Sequence, residues 1–177
     1  ERREFAKEQH SFLIEQVQSS INNKASLTTH NINFNHPIKE LVWAFRMHDS
    51  SPVNFSLKKN SEFIYEALND PEWFSKGTLR LNGEEQFSPK DTLYFSSLQP
   101  YFYHTRIPLK KMYLYSFSIK PEEHIPTGHC NFSRFDSIEL NLTPSANVGY
   151  NDELLIFGTN YNILNIQNGM GGLLFSD

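Results

Sequence analysis

Fault-free alternation of apolar and polar residues does most to narrow what this chain can fold into. In Ser137-Ile138-Glu139-Leu140-Asn141-Leu142 it puts Ile138, Leu140 and Leu142 on one side of an extended strand, with Glu139 and Asn141 on the other. His30-Asn31-Ile32-Asn33-Phe34 and Val53-Asn54-Phe55-Ser56-Leu57 repeat the pattern. Thr78-Leu79-Arg80-Leu81 runs into Asn82-Gly83, a pair that tolerates positive φ and so predicts a hairpin turn. A period of two suits a strand with one face on a core and the other on water.

Three segments are more continuously apolar and read as interior strands: Ile38 to Met47, Met112 to Ile119, and Glu153 to Ile166. Leu41, Trp43, Phe45 and Met47 share a face in the first, as do Tyr113, Tyr115, Phe117 and Ile119 in the second. Phe12 to Gln18 reads as an opening strand, although Glu4 to Glu15 also accepts a helical reading because good helix formers dominate its first turns. Two short helices are expected in the connections. One starts near Ser61 and is stopped by Asn69-Asp70-Pro71; the other starts at Ser88-Pro89-Lys90-Asp91 and ends at Pro100.

The tally is eight or nine strands with no β-α-β rhythm, in a chain of 177 residues that suits one core. Aromatics make up 14% of the chain, 15 of them Phe, as half-buried twisted strands favour. The expected fold is all-β: an eight-stranded antiparallel jelly-roll sandwich with short helices in its connections, one domain over 1–177. An immunoglobulin sandwich would want a Cys/Trp/Cys arrangement that the single cysteine, Cys130, does not supply.

Charge and motif spacing exclude several function classes. With 16 Lys+Arg against 20 Asp+Glu, the formal charge of −4 gives no general attraction to phosphate backbones or anionic lipid, so no direct nucleic-acid partner is expected. One cysteine makes no internal disulfide, which points to a reducing compartment. No apolar run approaches the ~20 residues of a transmembrane helix, and Glu1-Arg2-Arg3-Glu4 does not open a signal peptide. Glu122-Glu123-His124 followed by His129-Cys130 is the best metal-like cluster, yet Pro121, Pro126, Thr127 and Gly128 make it a turn-rich loop. No His-x-His pair or Gly-x-Ser-x-Gly elbow occurs, so neither cofactor nor catalytic residue is expected. Asn168-Gly169-Met170-Gly171-Gly172 lacks a phosphate-loop lysine and reads as a tight or flexible turn.

Tyr101, Phe102, Tyr103 and Arg106 form an aromatic and basic patch, which suits packing or subunit contact better than stacking on bases or sugars. Three sequons begin at Asn54, Asn131 and Asn141; Asn54 and Asn141 fall on the polar sides of their strands and are the candidate glycosylation sites.

One long stretch carries a family resemblance: Tyr113-Leu114-Tyr115-Ser116-Phe117-Ser118-Ile119-Lys120-Pro121-Glu122-Glu123-His124, continuing through Ile125-Pro126-Thr127-Gly128-His129-Cys130-Asn131-Phe132-Ser133-Arg134-Phe135-Asp136. Supporting stretches are Glu1-Arg2-Arg3 with Phe5-Ala6, His36 to Trp43, Leu79 to Gly83, Asn160 to Leu164 and Gly169 to Leu173. Together they resemble, over nearly the whole chain, the major capsid proteins of the nucleocytoplasmic large DNA viruses. The resemblance implies the second jelly roll of a double jelly-roll protomer and a homo-trimer forming a pseudo-hexagonal capsomer. It also implies contacts with neighbouring capsomers and other capsid and minor capsid proteins, and a virion shell assembled in the host cytoplasm. The expected interface residues are Trp73 and Phe74, Tyr101, Phe102, Tyr103 and Arg106, and His124 in the Lys120 to Gly128 loop. A carbohydrate-binding module is the alternative, resting on the Trp73, Phe74, Tyr101 and Tyr103 rings.

Overall fold

The computed structural model describes residues 8–46, 72–109, 111–146, 148 and 152–175; the Val53 to Leu57 strand, the Ser61 helix and Asn54 lie outside them. Eleven strands are present among the described residues: β1 His10–Asn22, β2 Thr29–Asn31, β3 Pro37–Arg46, β4 Phe74–Leu81, β5 Glu84–Glu85, β6 Lys90–Asp91, β7 Tyr113–Ser116, β8 Cys130–Asn131, β9 Ile138–Pro144, β10 Glu153–Gln167 and β11 Met170–Leu173. They form two antiparallel sheets. The first runs β1-β10-β3-β7, with β11 on β10 and β8 on β3; the second runs β2-β9-β4-β5, with β6 on β4.

The opening segment is strand from His10 onward, paired with β10 from His10↔Ile166 to Asn22↔Leu154. Long-range pairing outweighs the weak helical preference of its first residues. β10 is the interior strand expected, lying between β1 and β3. The expected Met112 to Ile119 strand is shorter and sits at the end of its sheet path. Its chain turns where the Ser116 hydroxyl donates to the Ser118 carbonyl and accepts from the Ser118 N–H, at 2.6 and 3.2 Å. That bend leaves Ile119 69% exposed.

The second expected helix also starts elsewhere. Lys90 and Asp91 pair with Gly77 and Lys76 as β6, so Ser88 caps nothing. A π-helical turn follows at Tyr94–Leu98 and passes into α1, Gln99–Tyr103, with Pro100 in its first turn and not at its end. Proline has no N–H to donate and crowds the carbonyl four residues back, which fits the widened turn ahead of it.

Asn82-Gly83 closes the β4–β5 hairpin with φ of 51° and 81°, the double positive values of a type I′ turn. Asn168-Gly169 does the same between β10 and β11, at 52° and 79°, so the glycine-rich stretch is a tight hairpin.

The alternating residues meet between the sheets. Leu41, Trp43 and Phe45 of β3, Leu154 and Ile156 of β10 and Tyr113 of β7 face Leu79 and Leu81 of β4 and Ile138, Leu140 and Leu142 of β9 in one buried cluster. Phe74, Phe95 and Phe132 complete it. Trp43 packs edge-on to Phe95 at 5.1 Å, and Phe74 edge-on to Tyr113 at 4.8 Å. Apolar area removed from water stabilises at ~25 cal/mol per Å², and the large rings add edge-to-face contacts to that burial.

Candidate assembly surface

The residues around α1 and the loop before β8 compose one face. Tyr101 and Phe102 are 68% and 69% exposed, their rings edge-to-face at 5.4 Å. Leu98, Ile107 and Leu109 are exposed near them in sequence, and Ile119 and Ile125 are exposed in the second loop. Glu122 ties the loops together by accepting from the Thr105 N–H at 3.1 Å and the Thr105 hydroxyl at 3.2 Å. His104, just past α1, is anchored to the first sheet through Glu40 at 2.9 Å. These loops thus carry exposed apolar side chains while hydrogen bonds pin them to each other and to the first sheet.

The expected interface residues divide in two. Tyr101, Phe102 and Arg106 are exposed and Tyr103 is half-buried. His124 is also outward, 67% exposed in its side chain, with Nδ1 3.9 Å from Glu15. Phe74, by contrast, is wholly buried among Phe45, Phe95 and Tyr113, so its ring is core and not available to a neighbour. Trp73 lies half-buried with one face stacked on Phe45, centroids 5.1 Å apart and planes 1° from parallel. The aromatic set offered for sugar stacking is therefore split between the core and the surface.

Asn141, placed by alternation on a water-facing side, is only 9% exposed, and both atoms of its carboxamide are shut off from solvent and unpaired. A glycan needs an accessible Nδ2, so the expected modification at Asn141 is not supported. Asn131 uses its side-chain oxygen to accept the Ser133 N–H, capping a short 3-10 turn, Phe132–Arg134.

The metal-like cluster is dispersed by its own hydrogen bonds. Glu122 is held by Thr105, Glu123 pairs with Lys120, the His129 ring stands edge-on to Tyr161, and Cys130 is in β8 opposite Ile38. Among the described residues no group of three His, Cys, Asp or Glu is placed to hold a metal. Burial pushes the Cys130 thiol up, away from the thiolate form that a nucleophile requires. No helix among the described residues is long and apolar enough to cross a membrane.

Two antiparallel sheets joined in this order, with aromatic packing between them, define a jelly-roll sandwich. Over residues 1–172 the chain matches the family model of the large eukaryotic DNA virus major capsid protein, and it belongs to that family. It is 34% identical over 200 residues to a major capsid protein of Pyramimonas orientalis virus, covering 100% of this chain and 46% of that one. It is 32% identical over 223 residues to that of Paramecium bursaria Chlorella virus 1, covering 100% and 51%. A solved PBCV-1 virus capsid chain superposes with a TM-score of 0.74 at 26% identity, over 99% of this chain and 54% of that one. The chain thus spans about half the length of these relatives.

Proposed function

We propose that these residues build the second of two jelly rolls in a major capsid protein whose trimers form the pseudo-hexagonal capsomers of an icosahedral virion shell. The reading is supported most directly by the superposition on the PBCV-1 capsid chain, which runs the length of this chain and leaves about half of that one over. On this reading the paths β1-β10-β3-β7 and β2-β9-β4-β5 are the eight strands of the roll, and β6, β8 and β11 are short additions. The protein then works through its surfaces, as a structural part and not an enzyme. Its partners are copies of itself, neighbouring capsomers and minor capsid proteins, assembled in the host cytoplasm.

Tyr101, Phe102, Tyr103, Arg106 and His124 are the contact residues we assign to subunit packing, with Trp73 at the margin. Aromatic rings and arginine are the usual anchors of such interfaces, and a stable one buries roughly 800 Å² per partner. Native mass spectrometry of the full-length protein tests this. Trimers are expected for the unaltered protein, and Y101S/F102S is expected to shift it toward folded monomer; a persistent monomer at high concentration overturns the capsomer reading.

A further inference from the structure

Two carboxamides of the first sheet hold a passing piece of chain by the same device. Asn162 donates from Nδ2 to the Phe175 carbonyl at 2.8 Å and accepts the Phe175 N–H on Oδ1 at 3.1 Å. Gln18 donates from Nε2 to the Asn35 carbonyl at 2.7 Å and accepts the Asn35 N–H on Oε1 at 3.0 Å. In each, one side-chain amide satisfies both main-chain groups of a single residue, as a neighbouring strand would.

Asn141 carries the same group on the second sheet with both halves unmet. It lies in register between Thr29 of β2 and Thr78 of β4. Alternation turns it away from Leu140 and Leu142, onto the outer face, where it lines a groove of about 220 Å³ with Thr143, Lys76, Arg80 and Glu85. Arg80 adds a second unmet donor: its terminal nitrogen pairs with Glu85 at 2.9 Å while its buried Nε has no partner. Buried polar groups left unpaired are costly, so the site favours whatever completes them. The rim side chains Lys76, Arg80 and Glu85 are long and at least partly exposed, and side chains of that kind swing on fast timescales.

The geometry points to an extended polypeptide segment as the occupant, one residue of which gives its N–H and C=O to Asn141 while a further carbonyl meets Arg80 Nε. An anion that only accepts would leave Oδ1 unmet. A sugar ring would find no aromatic platform among the lining residues. The volume exceeds the ~30 Å³ share of one water yet falls below the roughly 300 Å³ of small-molecule pockets, which fits a short piece of chain. The occupant is a segment of the full-length polypeptide outside residues 1–177; this rests on the reading of these residues as one half, given that they cover 46% and 51% of two relatives.

A photoreactive benzoylphenylalanine at the exposed rim position Thr143, or at Thr29, in the full-length protein tests this after irradiation and peptide mapping. The expected product is a cross-link within one polypeptide to a residue outside 1–177, reduced several-fold by N141L. A double-length polypeptide whose cross-links fall only within 1–177, fall on another chain or do not form overturns the clamp alone. A full-length polypeptide no longer than these residues overturns the two-half reading, and the clamp with it.

Discussion

Gly158 and Phe34 are in such close contact that a Cβ on the glycine would stand 2.7 Å from the Phe34 ring and 3.3 Å from Ile38 Cδ1. Phe34 is 4% exposed and belongs to the core, so its ring has little room to retreat. G158A is therefore expected to lose about 1–3 kcal/mol by overpacking, and G158V more. Urea unfolding checks this; an unchanged midpoint for G158A would show that the ring moves freely.

Removing the Asn162 clamp should loosen the end of β11 without unfolding the sandwich. Asn162 is fully buried, and besides Phe175 it donates to Gln16 Oε1 at 2.8 Å. N162L strands those partners, for an expected loss of about 1–3 kcal/mol. Hydrogen exchange should speed up at the Leu174 and Phe175 amides and stay unchanged in β9.

Acid sensitivity should trace partly to His30. The ring is 2% exposed with Nε2 unpaired, and burial holds its pKa below the ordinary 6.5 despite an opposing hydrogen bond at the Leu27 backbone. The unfolded chain then takes up a proton that the folded chain resists. Stability is full above about pH 6.5 and declines as pH falls toward the lower folded pKa, by at most ~1.4 kcal/mol per pH unit from this one group. Urea midpoints should fall less steeply between about pH 7 and pH 5 in H30L than in the unaltered protein.

The alkaline limb should belong to buried tyrosines. Tyr115 is pushed up to about 12 by burial, then by Tyr94, Tyr103 and Cys130, while burial and the Glu72 carboxylate also push Tyr113 up. An unfolded tyrosine ionises near pH 10, so each contributes stability that is present below about pH 10 and is lost as pH rises toward its folded pKa. Y115F should flatten the loss between about pH 10 and pH 12, read as urea midpoint against pH.

Strand alternation announced most of this architecture because its signal is local. Ile138, Leu140 and Leu142 face inward as their spacing demands, and Asn82-Gly83 turns where only residues tolerant of positive φ turn easily. Tyr101 and Phe102 stood out as an aromatic patch after Pro100, but their spacing left packing and subunit contact open, and only the fold shows both rings exposed. Phe74 was not legible as core: it read as an interface residue, and only the approach of β3 and β7 turned the ring into core. Lys90 and Asp91 carry a helix-start pattern, yet β4 offers them a ladder that outweighs a capping preference worth about 1 kcal/mol.

By itself the sequence determined that this is a two-layer antiparallel sandwich, because a period of two gives every strand one apolar face and such faces must meet. It also carried the family, in the run from Tyr113 to Asp136. Only the tertiary structure decided which side-chain carboxamides meet partners. Asn141, Asn162 and Gln18 carry interchangeable chemistry, but a hydrogen bond over about 3 Å depends on what the fold brings alongside. Two of them found a segment of this chain and one did not.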